Sequence, residues 1–349
     1  MGLAMDDTMP ESLIERPDRL QLYPCDDLVK RIPAPWQVKG VLREQSVTLL
    51  YGKRGCYKSF LALDLGASLA TGQPWHGHPI LSPGLVVYIA AEGGGGMVQR
   101  ARAWAEQHNI HPIKINMRFV TEPVIVTATS EDIDVLIYRI RQAIDWHDVG
   151  WFDEETGIDY DHETAREWPK LIVIDTLARC FIGNENQQED MGQFVQGVDR
   201  LKIAFNASVL IIHHTGKDGK SERGSTALGG ACDTIYRLDV ETEGILLLTN
   251  EKMKDSREPS PLALSYREVK VKKGLRDDSD EDLTSVIIED APKARTALDT
   301  LAILVEQGPL SWKAWLEGSG LPKSTFRRHI LDLERKGKIS KGNDVYEAV

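Results

Sequence analysis

The chain reads as an α/β protein built on a mostly parallel sheet with helices on both faces, followed by a small basic unit. Three observations predict this. Continuous apolar runs recur at 46–51 (SVTLLY), 84–91 (GLVVYIAA), 171–175 (LIVID) and 208–213 (SVLIIH). Segments of helical period separate them, at 58–70, 96–108, 130–146 and 191–206. Strands that are apolar on both faces belong in a parallel sheet that helices cover on both sides. From residue 291 the charge balance then reverses: ten Lys and Arg face seven Asp and Glu, in a chain whose net charge is −11.

The remaining segments follow from local pattern. Residues 1–34 are polar and without sustained period. They read as a mobile arm with a short helix at 26–31. The Pro33-Ala34-Pro35-Trp36 stretch reads as the entry to the folded core, expected over 35–275. A strand is expected at 117–121. The acidic, aperiodic segment 146–163 reads as an exposed loop before the LIVID strand. Beyond residue 230 shorter strands at 234–239, 244–250 and 262–266 suit an antiparallel extension of the sheet. The RDDSDED run places a polar linker over 276–290. Helices at 295–306, 311–318 and 323–336, the last capped by Ser324, and a β-ribbon at 337–346 give 291–349 the pattern of a winged helix-turn-helix.

At 349 residues, with 42% hydrophobic and 27% charged side chains, the chain is long enough to bury a real core. Its acidity argues against a protein that coats nucleic acid over its whole surface, while leaving room for a local basic site. Cys25, Cys56, Cys180 and Cys232 have neither zinc nor disulfide spacing, which suits a reducing compartment. The N-terminus has early acids and no apolar core, and no stretch approaches the roughly 18 apolar residues of a membrane span. A cytoplasmic protein away from the membrane is expected.

The strongest motif is Gly52-Lys53-Arg54-Gly55-Cys56-Tyr57-Lys58-Ser59, between an apolar strand and a helix. Loop N–H groups and a helix N-terminus in that order favour a phosphate. Lys58 is placed to reach the β- and γ-phosphates and Ser59 to ligate Mg²⁺, with Phe60 completing the nucleotide-binding stretch. ATP with Mg²⁺ is the expected ligand. Tyr57 stands where glycine is usual. A tyrosine is tolerable there if the residue is already helical, since only a positive φ favours glycine. A chance Gly-x-x-Gly turn with a surface lysine would lack the companions that follow.

Asp175 ends the LIVID strand, where a carboxylate holds the Mg²⁺ shell. Glu92 follows the GLVVYIAA strand and is placed to polarise an attacking water; its simpler role is a helix N-terminal acid. Gly93–Gly96 read as a flexible turn. His213 and His214 end the SVLIIH strand. Either could sense the γ-phosphate, but alternation forbids both from facing one site. The basic, glycine-rich run 216–225 carries Lys217, Lys220 and Arg223, suited to nucleic-acid phosphates or to an arginine finger across a subunit boundary. In the tail, Lys323, Arg327 and Arg328 suit phosphate contact in a DNA groove, unless the unit serves protein contacts.

Taken together, GKRGCYKS, Glu92, LIVIDT, VLIIHHTGK and RGSTALGGACD resemble the RecA-type P-loop ATPases of the plasmid- and phage-encoded RepA hexameric helicase group, over roughly 36–273. The resemblance implies a RecA-like core. It makes Lys58, Glu92 and Asp175 catalytic, with His213 or His214 as sensor. It assigns Arg223, and Lys252 or Lys254, as groups acting in trans on a neighbouring subunit. A homo-oligomeric ring, a hexamer, would then move loops near 184–190 and 216–226 against single-stranded DNA. A filament-forming recombination or repair ATPase is the alternative. A nucleotide-switched DNA-binding regulator or loader is a third.

Overall fold

The computed structural model describes residues 23–30, 35–92, 94–145, 151–153, 158–160, 168–216, 223–241, 244–271, 283–291, 297–321, 323–342 and 345–349. The chain divides into two units, 1–35 and 36–349. In the first, helix α1 (Cys25–Leu28) has Asp26 and Asp27 in its first turn, and Lys30 pairs with both, at 3.7 and 3.5 Å. The rest of the expected arm lies outside the described residues.

The second unit holds a nine-stranded sheet. Its strands are β3 (Val47–Gly52), β4 (Val86–Ala90), β5 (Met117–Val120), β8 (Leu171–Asp175), β9 (Ser208–His214), β10 (Thr234–Val240), β11 (Ile245–Met253), β12 (Leu262–Lys270) and β13 (Thr284–Asp290). They lie in the order β13-β12-β11-β10-β3-β9-β8-β4-β5. From β10 to β5 every neighbouring pair is parallel; from β10 to β13 every pair is antiparallel. The expected α/β class with a mostly parallel sheet is present. A short antiparallel pair, β1 (Trp36–Val38) and β2 (Leu42–Arg43), precedes it.

Some expectations need correction. The strands after residue 230 do not shorten, and β10 is parallel to β3, so the antiparallel extension begins one strand later. The segment read as a loop over 146–163 contains an antiparallel pair, β6 (Trp151–Asp153) and β7 (Ile158–Tyr160), too short and too acidic to show a period. Residues 284–290, expected within the linker, form edge strand β13, paired along its whole length with β12. Its TSVIIED pattern alternates only briefly, and the polar run before it masks it. The RDDSDED run itself lies outside the described residues.

Helices cover both faces. On one lie α2 (Lys58–Thr71) and α3 (Gly94–His108); on the other α4 (Glu131–Asp145), α5 (Gln188–Phe205) and the short α6 (Thr226–Ala231). Alternation along each central strand divides the core. Leu50, Val86, Tyr88, Leu171, Val173, Leu210 and Ile212 pack with α2, while Leu49, Val87, Ile89, Ile172, Ile174, Val209 and Ile211 pack with α5. Local signals match the helix ends. Helix α5 has Glu189 and Asp190 in its first turn and Lys202 in its last, complementing the helix dipole. Gly72, at φ 73°, ends α2. Gly94–Gly96, expected as a turn, form the first turn of α3.

Helix α2 is buried along nearly its whole length and carries one carboxylate inward, Asp64. Asp64 accepts from the indoles of Trp75 (2.7 Å) and Trp104 (2.8 Å) and meets His76 Nε2 at 3.0 Å. The other nitrogen of His76 meets Asp290 of β13 at 2.7 Å. One buried carboxylate thus links the helix layer to the sheet edge, with each polar atom answered.

The C-terminal residues form α7 (Ala297–Gln307), α8 (Trp312–Ser319) and α9 (Lys323–Arg335), with a three-stranded antiparallel sheet in the order β14 (Leu310–Ser311), β16 (Val345–Ala348), β15 (Ile339–Gly342). Leu304, Trp315, Phe326, Ile330, Leu333, Ile339 and Tyr346 make a separate core. The side chain of Ser324 lies outside the described residues. All four cysteines are free thiols. Among the described residues no helix is long and apolar enough to cross a membrane.

Asp64→Ala would leave two buried indole N–H groups unanswered. A loss of about 2–4 kcal/mol is expected from urea unfolding. Burial alone would lower the pKa of His76, but its bonds to Asp64 and Asp290 outweigh this and raise it. Stability from this group is therefore full below the ordinary histidine pKa and lost as pH rises through the raised value. The urea midpoint should fall across that window in the parent protein, and His76→Ala should flatten this part of the profile.

Candidate functional site

The site forms where β3, β8 and β9 end and β4 leads into α3. Strand β3 runs directly into the loop 52–57, and α2 begins at Lys58. Gly52 is required by a close approach: a Cβ there would lie 2.3 Å from the carbonyl oxygen of Leu238 on β10 and 2.8 Å from Cys56 Sγ. The first helical hydrogen bond of α2 runs from the Leu61 N–H to the Tyr57 carbonyl. No side chain caps the helix, so its first amides are left to whatever the loop encloses.

Tyr57 is not helical, contrary to expectation. It has φ 67° and ψ 18°, the left-handed conformation that glycine usually supplies. Its ring stacks on Tyr266 of β12, with centroids 4.0 Å apart.

A cavity of about 400 Å³ opens beside the loop, lined by Arg54 to Phe60, Glu92, Met97, Arg100, Asp175, Thr176 and His214. Lys58 is buried, and its ammonium donates to the carbonyls of Gly52 (3.0 Å) and Lys53 (2.8 Å). Burial lowers its pKa, partly offset by Cys56, Asp175 and Glu92. The Cys56 thiol is pushed up by burial despite the adjacent ammonium.

Asp175 is buried and accepts from the Tyr88 phenol at 2.7 Å through Oδ2. Burial raises its pKa; bonds from Tyr88 and Ser59 work against that. Its Oδ1 is buried with no hydrogen-bond donor of good geometry. A carboxylate with one open oxygen beside a serine hydroxyl is a donor set fit for Mg²⁺, which takes few protein ligands and keeps water and phosphate for the rest. No cluster of three His, Cys, Asp or Glu suited to a metal occurs among the described residues.

Glu92 accepts from Thr176 Oγ1 at 3.0 Å and lies 3.8 Å from the exposed Arg54 guanidinium and 3.9 Å from His214. The two histidines separate as alternation requires. His214 lines the cavity, with its pKa lowered by burial and by Lys58. His213 is fully buried on the opposite face and meets the backbone carbonyl of Arg223 at 2.8 Å.

The structure thus brings together Lys58, Ser59, Glu92, Asp175 and His214. Other expected residues do not line the cavity. Arg223 is more than half exposed and pairs with Glu185 at 2.7 Å. Lys252 caps α6 through the carbonyls of Gly229 (2.9 Å) and Gly230 (3.3 Å), while the more exposed Lys254 lies 3.7 Å from Asp233. Lys323, Arg327 and Arg328 are exposed on α9, and Lys323 lies 5.5 Å from the Trp312 ring centre. Lys217 and Lys220 lie outside the described residues. Sequence reasoning missed Tyr88, Thr176 and Arg100. Tyr88 is four residues before Glu92, so strand alternation from Glu92 signals its face; Thr176 and Arg100 carry no signal without the strand register.

Comparison with known proteins gives two kinds of result. The crystal structure of the RadB recombinase is similar at 16% identity and TM-score 0.43, over 69% of this chain and 91% of that one. A KaiC-like protein from Pyrococcus horikoshii OT3 is similar at 11% identity and TM-score 0.41, over 67% of this chain and 95% of that one. The AAA domain family AAA_25 matches residues 15–220, more than half of the chain and the whole stretch from the phosphate loop through β8 and β9. With its phosphate loop at the end of a central parallel strand, the chain belongs to the AAA_25 family of AAA domains and has a RecA-like P-loop core.

Proposed function

We propose that the protein is an ATP-driven motor on DNA. The observation that carries the ATPase part is the convergence of Lys58, Ser59, Glu92, Asp175, Thr176 and His214 on one cavity. On binding, Lys58 exchanges its two backbone carbonyls for the β- and γ-phosphates. Ser59 and Asp175 would hold Mg²⁺, which would offset phosphate charge. Glu92, oriented by Thr176, takes a proton from water as that water's oxygen bonds to the γ-phosphorus. The bond from the γ-phosphorus to the bridging oxygen breaks, and ADP and phosphate leave. His214 donates a hydrogen bond to the γ-phosphate.

Within this class we read the protein as a ring-forming helicase on single-stranded DNA. Arg223 supports an action in trans: its guanidinium is more than half exposed on Glu185 and does not line its own subunit's cavity. Between the two candidate lysines, Lys254 is the better trans-acting group, because Lys252 is engaged at the end of α6. Residues 291–349 are read as a winged helix, whose α9 buries Phe326, Ile330 and Leu333 and exposes Lys323, Arg327 and Arg328 to a DNA backbone. The second reading is a filament-forming recombination ATPase. One fact favours keeping it: the family match ends at residue 220, before Arg223, Lys254 and α9, on which the helicase reading depends.

Glu92→Gln should keep nucleotide binding and reduce ATP turnover at least about 100-fold, in a colorimetric phosphate assay. His214→Ala should slow turnover more than His213→Ala. Mixing inactive Lys58→Ala and Arg223→Ala subunits should restore part of the ATPase rate; no recovery at any ratio would count against trans action. On a forked duplex, ATP-dependent strand separation is expected. Filaments on DNA by electron microscopy, without separation, would establish the second reading instead.

A further inference from the structure

Tyr57 is the least conventional residue of the phosphate loop, and its surroundings are unusually complete. It holds a positive φ without being glycine, a conformation that survives only where neighbours over-determine it. Three contacts do so. Its ring stacks on Tyr266 with a 28° interplanar angle. It leans on Phe60, centroids 5.9 Å apart, and Phe60 is itself covered by the Arg100 guanidinium at 4.5 Å. A hydrogen bond with the Tyr266 phenol helps push the Tyr57 pKa up to about 12. Tyr266 is backed by Gly244, where an added Cβ would lie 3.8 Å from its ring.

The placement matters because Lys58 and Ser59 follow at once. The dihedral angles at Tyr57 set where α2 begins and where the ammonium and hydroxyl point. A glycine there would reach the same angles but many others as well. We propose that Tyr57 and Tyr266 form a latch that holds the phosphate loop in its binding conformation before nucleotide arrives. Tyr266 is then a positioning residue for triphosphate binding, although it does not line the cavity. The latch rests on the reading of this loop as a triphosphate site. It ties the affinity of the loop to β12, a strand of the antiparallel extension. Preorganisation of this kind shows as affinity, because less ordering remains to be done on binding.

The test is a cycle of full-length variants, Tyr266→Ala, Tyr57→Gly and both, with binding measured by calorimetry. Two probes are used with Mg²⁺: a non-hydrolysable ATP analogue and inorganic tripolyphosphate, which has no base. The latch predicts that Tyr266→Ala weakens both probes by a similar factor, about three- to tenfold for one aromatic pair. It predicts no further loss from Tyr266→Ala once Tyr57 is glycine. Tyr266→Phe, which keeps the ring, should restore most of the affinity and guards against a misfolded alanine variant. Loss for the ATP analogue alone would overturn the latch and make Tyr266 a base contact. An equal loss in the Tyr57→Gly background would overturn it in favour of general support from the sheet. If the parent protein bound neither probe, the nucleotide reading itself would fall; binding of tripolyphosphate without any Tyr266 effect would remove only the latch.

Discussion

Everything in the site depends on side-chain alternation along parallel strands held in fixed register. Ala90 pairs with Asp175 across β4 and β8, and Ile174 pairs with Ile211 across β8 and β9. With a period of two, one face receives Tyr88, Asp175, His214 and, just past the strand end, Glu92. That is the face on which α2 lies, and α2 starts at Lys58. A slip of one residue in any of these strands would turn its polar end group toward α5 and leave a gap in the cavity wall. Nearly complete burial of the strands on both faces is what forbids the slip.

A second constraint operates away from the cavity. A helix as buried as α2 has almost no polar face, so its single inward carboxylate must be fully answered. Asp64 is answered by two indoles and a histidine, and the histidine passes the connection to β13. The helix that begins at the phosphate loop is thereby fixed at its midpoint to the far edge of the sheet. Tyr57 and Tyr266 make a comparable connection at its start. Loop position is set from the antiparallel side of the sheet as well as from β3.

Much of this was legible in the chain. The four buried strands of the parallel core and the helices between them announce themselves by continuous apolar runs and helical period, and Lys58, Ser59, Glu92 and Asp175 follow from their positions at strand ends. What was illegible needed register or partners. Choosing His214 over His213 requires knowing which residue of β8 each one neighbours. The parallel pairing of β10 cannot be read locally, because the segment itself looks the same in either direction. The β6–β7 pair and β13 are short and flanked by acids, which removes the contrast on which periodicity relies. Lys252 and Lys254 look alike in the sequence, and only the fold distinguishes them, because the end of α6 takes up the Lys252 ammonium.

The left-handed residue before Lys58 bears on how such loops are found. A pattern written in letters demands glycine at that position and would pass over this chain. What the loop needs there is a sign of φ, and a residue other than glycine can provide it if a neighbour makes the conformation worth keeping. Here that neighbour lies 209 positions away, on a strand that no local pattern includes. Searches for phosphate loops that score backbone geometry together with a distant aromatic partner would admit sequences that spelling alone rejects.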